Sequence, residues 1–161
     1  EIRVERYTMI DDERFIESTD LHELSKKPLM LIIEDKYCEM CDDFNKTILS
    51  TKRINRLMKD FSVVRIDAES NEMIISPKGE ETTINKYVKE LGITYRPGVV
   101  FFDENKEIAR VDGMLYEYHF GEIMRYVGKR YYKKFSGDFK SYFANRTLEL
   151  LSSGATVNVG K

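Results

Sequence analysis

The chain has 161 residues and a mass of 19.0 kDa, the size of one domain that buries roughly 70% of its unfolded surface. Its 42% hydrophobic and 34% charged residues, with 3 prolines and 9 glycines, exclude a disordered, collagen-like or low-complexity chain. A net charge of −2 argues against a general nucleic-acid binder, and the longest apolar run, Leu29 to Ile33, is far too short to span a bilayer.

Taken in chain order, periodicity predicts an amphipathic helix over 12–26, carrying Phe15, Leu21 and Leu24 and ended by Pro28. Leu29 to Ile33 is a continuous apolar run, the mark of a strand buried on both faces. A helix is expected from the cysteines onward, with Cys41, Phe44 and Ile48 on one face. Ser50 is expected to cap a second helical piece bearing Ile54, Leu57, Met58 and Phe61. Ser62 to Ile66 reads as the next strand. The polar stretch 67–81 contains Pro77-Lys78-Gly79, and a hairpin is expected over 68–83.

Thr83 then caps a helix with Ile84, Tyr87, Val88 and Leu91 at i, i+3, i+4, i+7, stopped by Gly92. Val99 to Asp103 and Glu107 to Val111 are strands joined by a tight turn. Phe120, Ile123, Met124 and Val127 repeat the helical spacing up to Gly128. A last helix from Asp138 carries Phe139, Tyr142, Phe143, Leu148 and Leu151. This order predicts an α/β protein. A parallel pair from the strand–helix–strand crossover and an antiparallel hairpin form a mixed central sheet flanked by helices.

The only two cysteines, in Tyr37-Cys38-Glu39-Met40-Cys41, are too close together to staple a fold. They follow a buried strand and open a helix. Cys38 would sit where free backbone N–H groups and the helix dipole stabilise a thiolate. Cys41, one turn on and facing inward, would attack only a sulfur already attached to Cys38. That arrangement suits thiol–disulfide exchange, with Cys38 as nucleophile and Cys41 as resolving thiol. Zinc would need four ligands, and His22 and His119 lack ligand-like spacing to the pair. The alternative readings are a Cu(I) or zinc delivery module using Cys38 and Cys41 with methionine or His119, and a redox-inactive interaction scaffold.

The strand 29–33, Cys38-Glu39-Met40-Cys41, and Gly92-Ile93-Thr94-Tyr95-Arg96-Pro97 followed by Gly98 to Asp103 resemble the thioredoxin fold. More narrowly, the chain is similar to the SoxW-like, thioredoxin-related proteins of bacteria, many of them exported. The resemblance covers about 12–128 as a core, with the hairpin inserted and a helical extension over 129–161, all in one domain. It implies that Pro97 is cis and faces the cysteines. Tyr37, Tyr95, Arg96 and Pro97 would then form a groove in which the backbone of Arg96 pairs with an extended substrate. It also implies a reductant of protein or small-molecule disulfides that needs no bound cofactor and is recharged by an upstream dithiol. A periplasmic location and a link to sulfur-compound oxidation follow from the subgroup. The chain begins at Glu1, and a mature chain freed of a signal or tag is the corresponding expectation.

Two departures matter. The chain has no tryptophan, with Tyr37 before the first cysteine and Glu39-Met40 between the pair. The buried Asp that thioredoxins carry six residues before the first cysteine is Ile32 here. Glu34, on the same strand face because strand side chains alternate, is the candidate substitute proton carrier. Glu39, Asp42 and Asp43 disfavour a thiolate at Cys38, against Lys36 and Arg96, which leans the pair towards reduction of its substrates. Residues 125–146 hold seven Lys/Arg interleaved with aromatics and one acid, Asp138. A solvated helical face is the leading expectation there, with docking of an acidic protein as the alternative and no nucleic acid. No membrane insertion is expected, and the chain is expected to be a monomer.

Overall fold

The computed structural model describes residues 13–114, 116–155 and 157. Its centre is β1 (Leu29–Glu34), all six residues of which are buried. β1 pairs in parallel with β2 (Ser62–Asp67) and antiparallel with β5 (Gly98–Asp103). β6 (Lys106–Val111) continues from β5, giving the order β2-β1-β5-β6. The β5–β6 turn places Glu104 and Asn105 at φ 53° and 65°, the paired positive values that match a two-residue turn to strand twist. The edge strand β6 is the least buried of the four and carries Lys106, Glu107 and Arg110, charges that deter edge-to-edge pairing.

Alternation along β1 builds two cores. Met30 and Ile32, with Val63, Val99 and Phe101, pack against Phe44 of α1 (Glu39–Lys46), Ile54 of α2 (Lys52–Met58) and Phe120 of α4 (Glu117–Gly128). Leu29, Leu31 and Ile33, with Val64, Ile66 and Val100, pack against Ile84, Tyr87 and Val88 of α3 (Ile84–Leu91). Helices therefore cover both faces of a mixed sheet, as expected. Gly92 ends α3 in the left-handed region at φ 72°, where a Cβ would be strained. The expected hairpin is present as β3 (Met73–Ile75) and β4 (Glu81–Thr83), a two-stranded sheet of its own.

Residues 13–26 contain no helix, contrary to expectation. Phe15 packs on the α2/α4 side while Leu21 is fully buried on the α3 side, and one helical stripe cannot serve both faces of a sheet. The segment is instead held as extended chain and turns: Ile16 N–H donates to Val63 O (2.8 Å), Asp20 bridges Ile75, and the Asp20 carboxylate accepts from the amides of His22 and Glu23. Two caps also differ. Thr51 rather than Ser50 caps α2, its hydroxyl accepting from Ile54 N–H (3.2 Å), while Ser50 donates to Asn45 O. Thr83 precedes α3 without a side-chain cap, because its hydroxyl donates to Asn85 Oδ1 (2.6 Å).

The C-terminal extension is a 3-10 turn over Tyr131–Lys133 and α5 (Phe139–Ser152), capped by Asp138. Tyr126 of α4 makes ring contacts with Tyr132, Phe139 and Tyr142. Leu148 and Leu151 are 65% and 53% exposed, so only the first half of the expected α5 core stripe is used. The basic stretch is also only partly a solvated face. Arg125 and Arg146 approach the fully buried Glu122, and Arg130 and Tyr132 bind the buried carboxylate of Asp103 at the end of β5. Burial alone would push the Asp103 pKa up, but the hydrogen bonds from Arg130 and Tyr132 outweigh it and hold the carboxyl below its ordinary value.

Candidate functional site

β1 ends at Glu34, and Asp35, Lys36 and Tyr37 carry the chain outward to α1. Cys38 is the N-cap of α1, in an extended conformation, and its Sγ accepts the Cys41 N–H at 3.0 Å. The two cysteines are joined by a disulfide with S–S 2.08 Å. Cys41 is fully buried and Cys38 is 8% exposed, so an incoming thiolate reaches the disulfide at Cys38 Sγ. The same helix-start amide and dipole favour negative charge on that sulfur once the bond is reduced.

Gly98 pairs with Ile33, so β5 begins where β1 ends and residues 93–97 lie at the cysteine end of the sheet. The Arg96–Pro97 peptide there is cis, and Pro97 is buried. This loop is held from two sides. Asp112, just past β6, accepts the N–H groups of Thr94 (3.0 Å) and Tyr95 (2.7 Å). The Arg96 guanidinium donates to Asp35 Oδ1 and to the carbonyls of Ile93 and Tyr95, each at 3.1 Å. The Arg96 side chain thus fastens the proline loop to the segment leading into Cys38, leaving its backbone as the part able to meet a ligand. Tyr95 O–H contacts Met40 Sδ at 3.6 Å. Tyr37 and Met40 are 57% and 48% exposed, an apolar rim beside the disulfide.

Glu34 lies on the Ile32 face of β1 and is buried. Its Oε1 is 3.6 Å from Arg65 Nε on β2, and Asn45 Nδ2 donates to both Glu34 Oε2 (3.4 Å) and Cys41 O (2.7 Å). Arg65 is roofed by Phe15, its guanidinium carbon 4.0 Å from the ring centre. Glu34 therefore stands behind Cys41, connected to it through Asn45.

Around the disulfide, Asp42 is paired with Lys46 (2.8 Å), and the hydrogen bond that the Lys46 ammonium donates to Asp42 holds it above its usual pKa. Arg96 is paired with Asp35. With those pairs removed, Glu39 and Asp43 remain against Lys36.

The histidines are elsewhere. A ring nitrogen of His22 lies 2.8 Å from Pro77 O, and His119 stacks on Phe139 and meets Phe143 at a tilt, its pKa lowered by burial. Among the described residues, no group of three or more His, Cys, Asp or Glu could hold a metal ion, and no helix is long and apolar enough to cross a membrane.

Asp35, Asn45 and Asp112 were not among the expected site residues. Asp35 had a readable signal, its place three residues ahead of Cys38 on a segment with a charged neighbour. Asp112 had none, because its role depends on β6 returning beside the proline loop.

A buried strand leading to a disulfide at a helix start, with a cis-proline heading the adjacent antiparallel strand, defines a thioredoxin-like fold. A model of the thioredoxin-like domain matches residues 17–128, and the chain belongs to that family. A thioredoxin-fold protein from Helicobacter pylori superposes with a TM-score of 0.66 at 17% identity, covering 83% of this chain and 91% of that one. The thiol:disulfide interchange protein DsbD of Campylobacter jejuni is 26% identical over 89 residues, 55% of this chain and 14% of DsbD. The same figures hold for DsbD from a second strain of that species. The chain thus spans about a seventh of the length of these relatives.

Proposed function

We propose that the protein is a thiol–disulfide oxidoreductase that reduces disulfides in protein or small-molecule substrates. The observation that carries this reading is the Cys38–Cys41 disulfide at the start of α1, with Cys38 the more exposed sulfur and the Pro97 loop beside it. In the reduced state the Cys38 thiolate attacks a substrate disulfide. One substrate sulfur leaves as a thiolate and takes a proton. Cys41, deprotonated, then attacks Cys38 Sγ, forms the Cys38–Cys41 bond and expels the second substrate sulfur. Two electrons pass to the substrate, and an upstream dithiol restores the pair by the same exchange in reverse.

Within this reading Tyr37, Tyr95 and Met40 supply apolar contact, and the Arg96 backbone pairs with an extended substrate. Glu34 serves as the buried carboxylate that takes and returns the Cys41 proton, and Asn45, which donates to both Glu34 and the Cys41 carbonyl, holds it in place. The surplus of Glu39 and Asp43 over Lys36 supports a reducing poise, because nearby negative charge disfavours the reduced pair's thiolate. The similarity to SoxW-like proteins supports a bacterial periplasmic location and service to sulfur-compound oxidation.

The test is insulin reduction by the wild type and by Cys38→Ser and Cys41→Ser, with metal analysis of the same preparations. The expected result is turnover that requires both cysteines, and a mixed disulfide that accumulates on Cys38 in Cys41→Ser. Activity retained in Cys38→Ser, or stoichiometric metal released on cysteine substitution, would overturn the assignment. Equilibration with glutathione places the pair on the redox scale, and a strongly oxidising position would refute the reducing poise.

A further inference from the structure

α4, the turn over Tyr131–Lys133 and α5 enclose an open cavity of about 240 Å3, unrelated to the disulfide. Three cations line it: Arg125, Lys134 and Arg146. Asn145 adds an amide, Tyr131 and Phe135 add apolar wall, and Glu149 is the one acid of the lining.

Beneath the cavity one buried carboxylate is shared among several cations. Glu122 is fully buried, and its carboxylate receives Arg53 from α2, Arg125 at 3.6 Å, Arg146 at 3.4 Å and the Tyr142 O–H at 2.9 Å. Gly121 makes room for this: a Cβ there would collide with the Arg53 guanidinium. Three guanidinium groups thus converge on one carboxylate. Beyond Glu122, Arg53 is relieved in part by Glu117 at 3.5 Å, and among the described residues Arg146 is relieved by the exposed Glu149 at 3.8 Å. Arg146 Nε is buried and makes no hydrogen bond among the described residues. Lys134 makes no ion pair among them either.

Like charges held together in a partly buried place repel, and a guanidinium pair matches the oxygens of a tetrahedral or planar oxyanion. We propose that this cavity is a binding site for a small phosphate-type oxyanion. Arg125 and Arg146 grip the oxygens, and Lys134 and Asn145 close the rim. Tyr131 and Phe135 accommodate an organic part where one is present. The site is independent of the thiol chemistry and stands or falls separately from it.

The experiment is calorimetric titration of the oxidised protein with inorganic phosphate and with phenyl phosphate, at ionic strength held constant with sodium chloride. The expected result is saturable one-to-one binding. Lys134→Gln, an exposed change that leaves the Glu122 cluster intact, weakens it about tenfold, the loss of one charge-assisted contact. Glu149→Gln, which removes the repelling acid, tightens it several-fold. Tighter binding of phenyl phosphate than of phosphate identifies a monoester as the ligand type, and equal binding identifies the free ion. Non-saturable heats, or saturable binding that neither variant changes while circular dichroism shows both folded, would overturn the proposal.

Discussion

Gly98→Ala tests how tightly the proline loop is built. Gly98 is buried at the first position of β5. A Cβ there would overlap Ile93 Cγ2 outright and lie 3.0 Å from Tyr95 O, where ordinary contact begins at 3.4 Å. Ile93 is only 3% exposed, so its methyl has no free space to turn into, and Tyr95 is tied down through its N–H to Asp112. Overpacking of this kind costs about 1–3 kcal/mol, while replacing glycine recovers about 0.4–1 kcal/mol by restricting the unfolded chain. The clash wins by about 1–2 kcal/mol. For a chain of this length that lowers Tm by roughly 3–8 °C. Gly113→Ala is the matched control, because nothing lies within 4 Å of a Cβ there and its φ is not in the left-handed region. It is expected to gain about 0.5 kcal/mol from the same chain-entropy effect. Urea and thermal unfolding of the three oxidised proteins measure the difference, and insulin reduction measures the consequence. Gly98→Ala should also reduce disulfides more slowly, since the displaced atoms belong to the loop beside Cys38. Equal stability of the two variants would refute the reasoning, as would a destabilised Gly98→Ala that keeps full turnover.

Two further outcomes follow from buried carboxylates. Glu34→Gln removes a charge facing Arg65 and should cost about 3 kcal/mol in urea unfolding. It should also alter the dependence of insulin reduction on pH between 6 and 9, and an unchanged profile would remove Glu34 from proton transfer. Asp103 is held below its ordinary pKa in the folded protein. Its contribution is therefore complete above the unfolded value near 3.8 and is lost as pH falls through the lower folded value. Asp103→Asn should cost about 1–2 kcal/mol at neutral pH. It should also flatten the fall in stability below about pH 4, the range in which an ordinary aspartate takes up its proton. A variant as acid-sensitive as the wild type would show that Asp103 is not the group responsible.

Much of the site was readable because its signals are local. A run of five apolar residues ended by a charged turn reads as a buried strand, and two cysteines one helical turn apart after it mark the start of the next helix. Gly92, the β5–β6 turn and the proline before Gly98 are likewise governed by backbone chemistry within a few residues. The segment 13–26 misled for a physical reason. Its apolar residues have near-helical spacing, but Phe15 and Leu21 serve cores on opposite faces of the sheet. Spacing says that a residue is apolar and not which core receives it.

Length, composition and charge excluded whole classes of protein and left two cysteines as the candidate chemical centre, because the proposed nucleophile, the proposed resolving thiol and the helix start lie within one short stretch of chain. Partnership across long separations was decided only by tertiary structure. Arg96 could be read as a substrate contact, yet its side chain spends its donors on Asp35 and on its own loop. The basic C-terminal stretch could be read as a wet surface. In the fold, Arg125 and Arg146 turn inward to Glu122 and Arg130 to Asp103, because a buried carboxylate without a polar partner is costly. A net charge counts residues. Only the packed chain determines which charges meet.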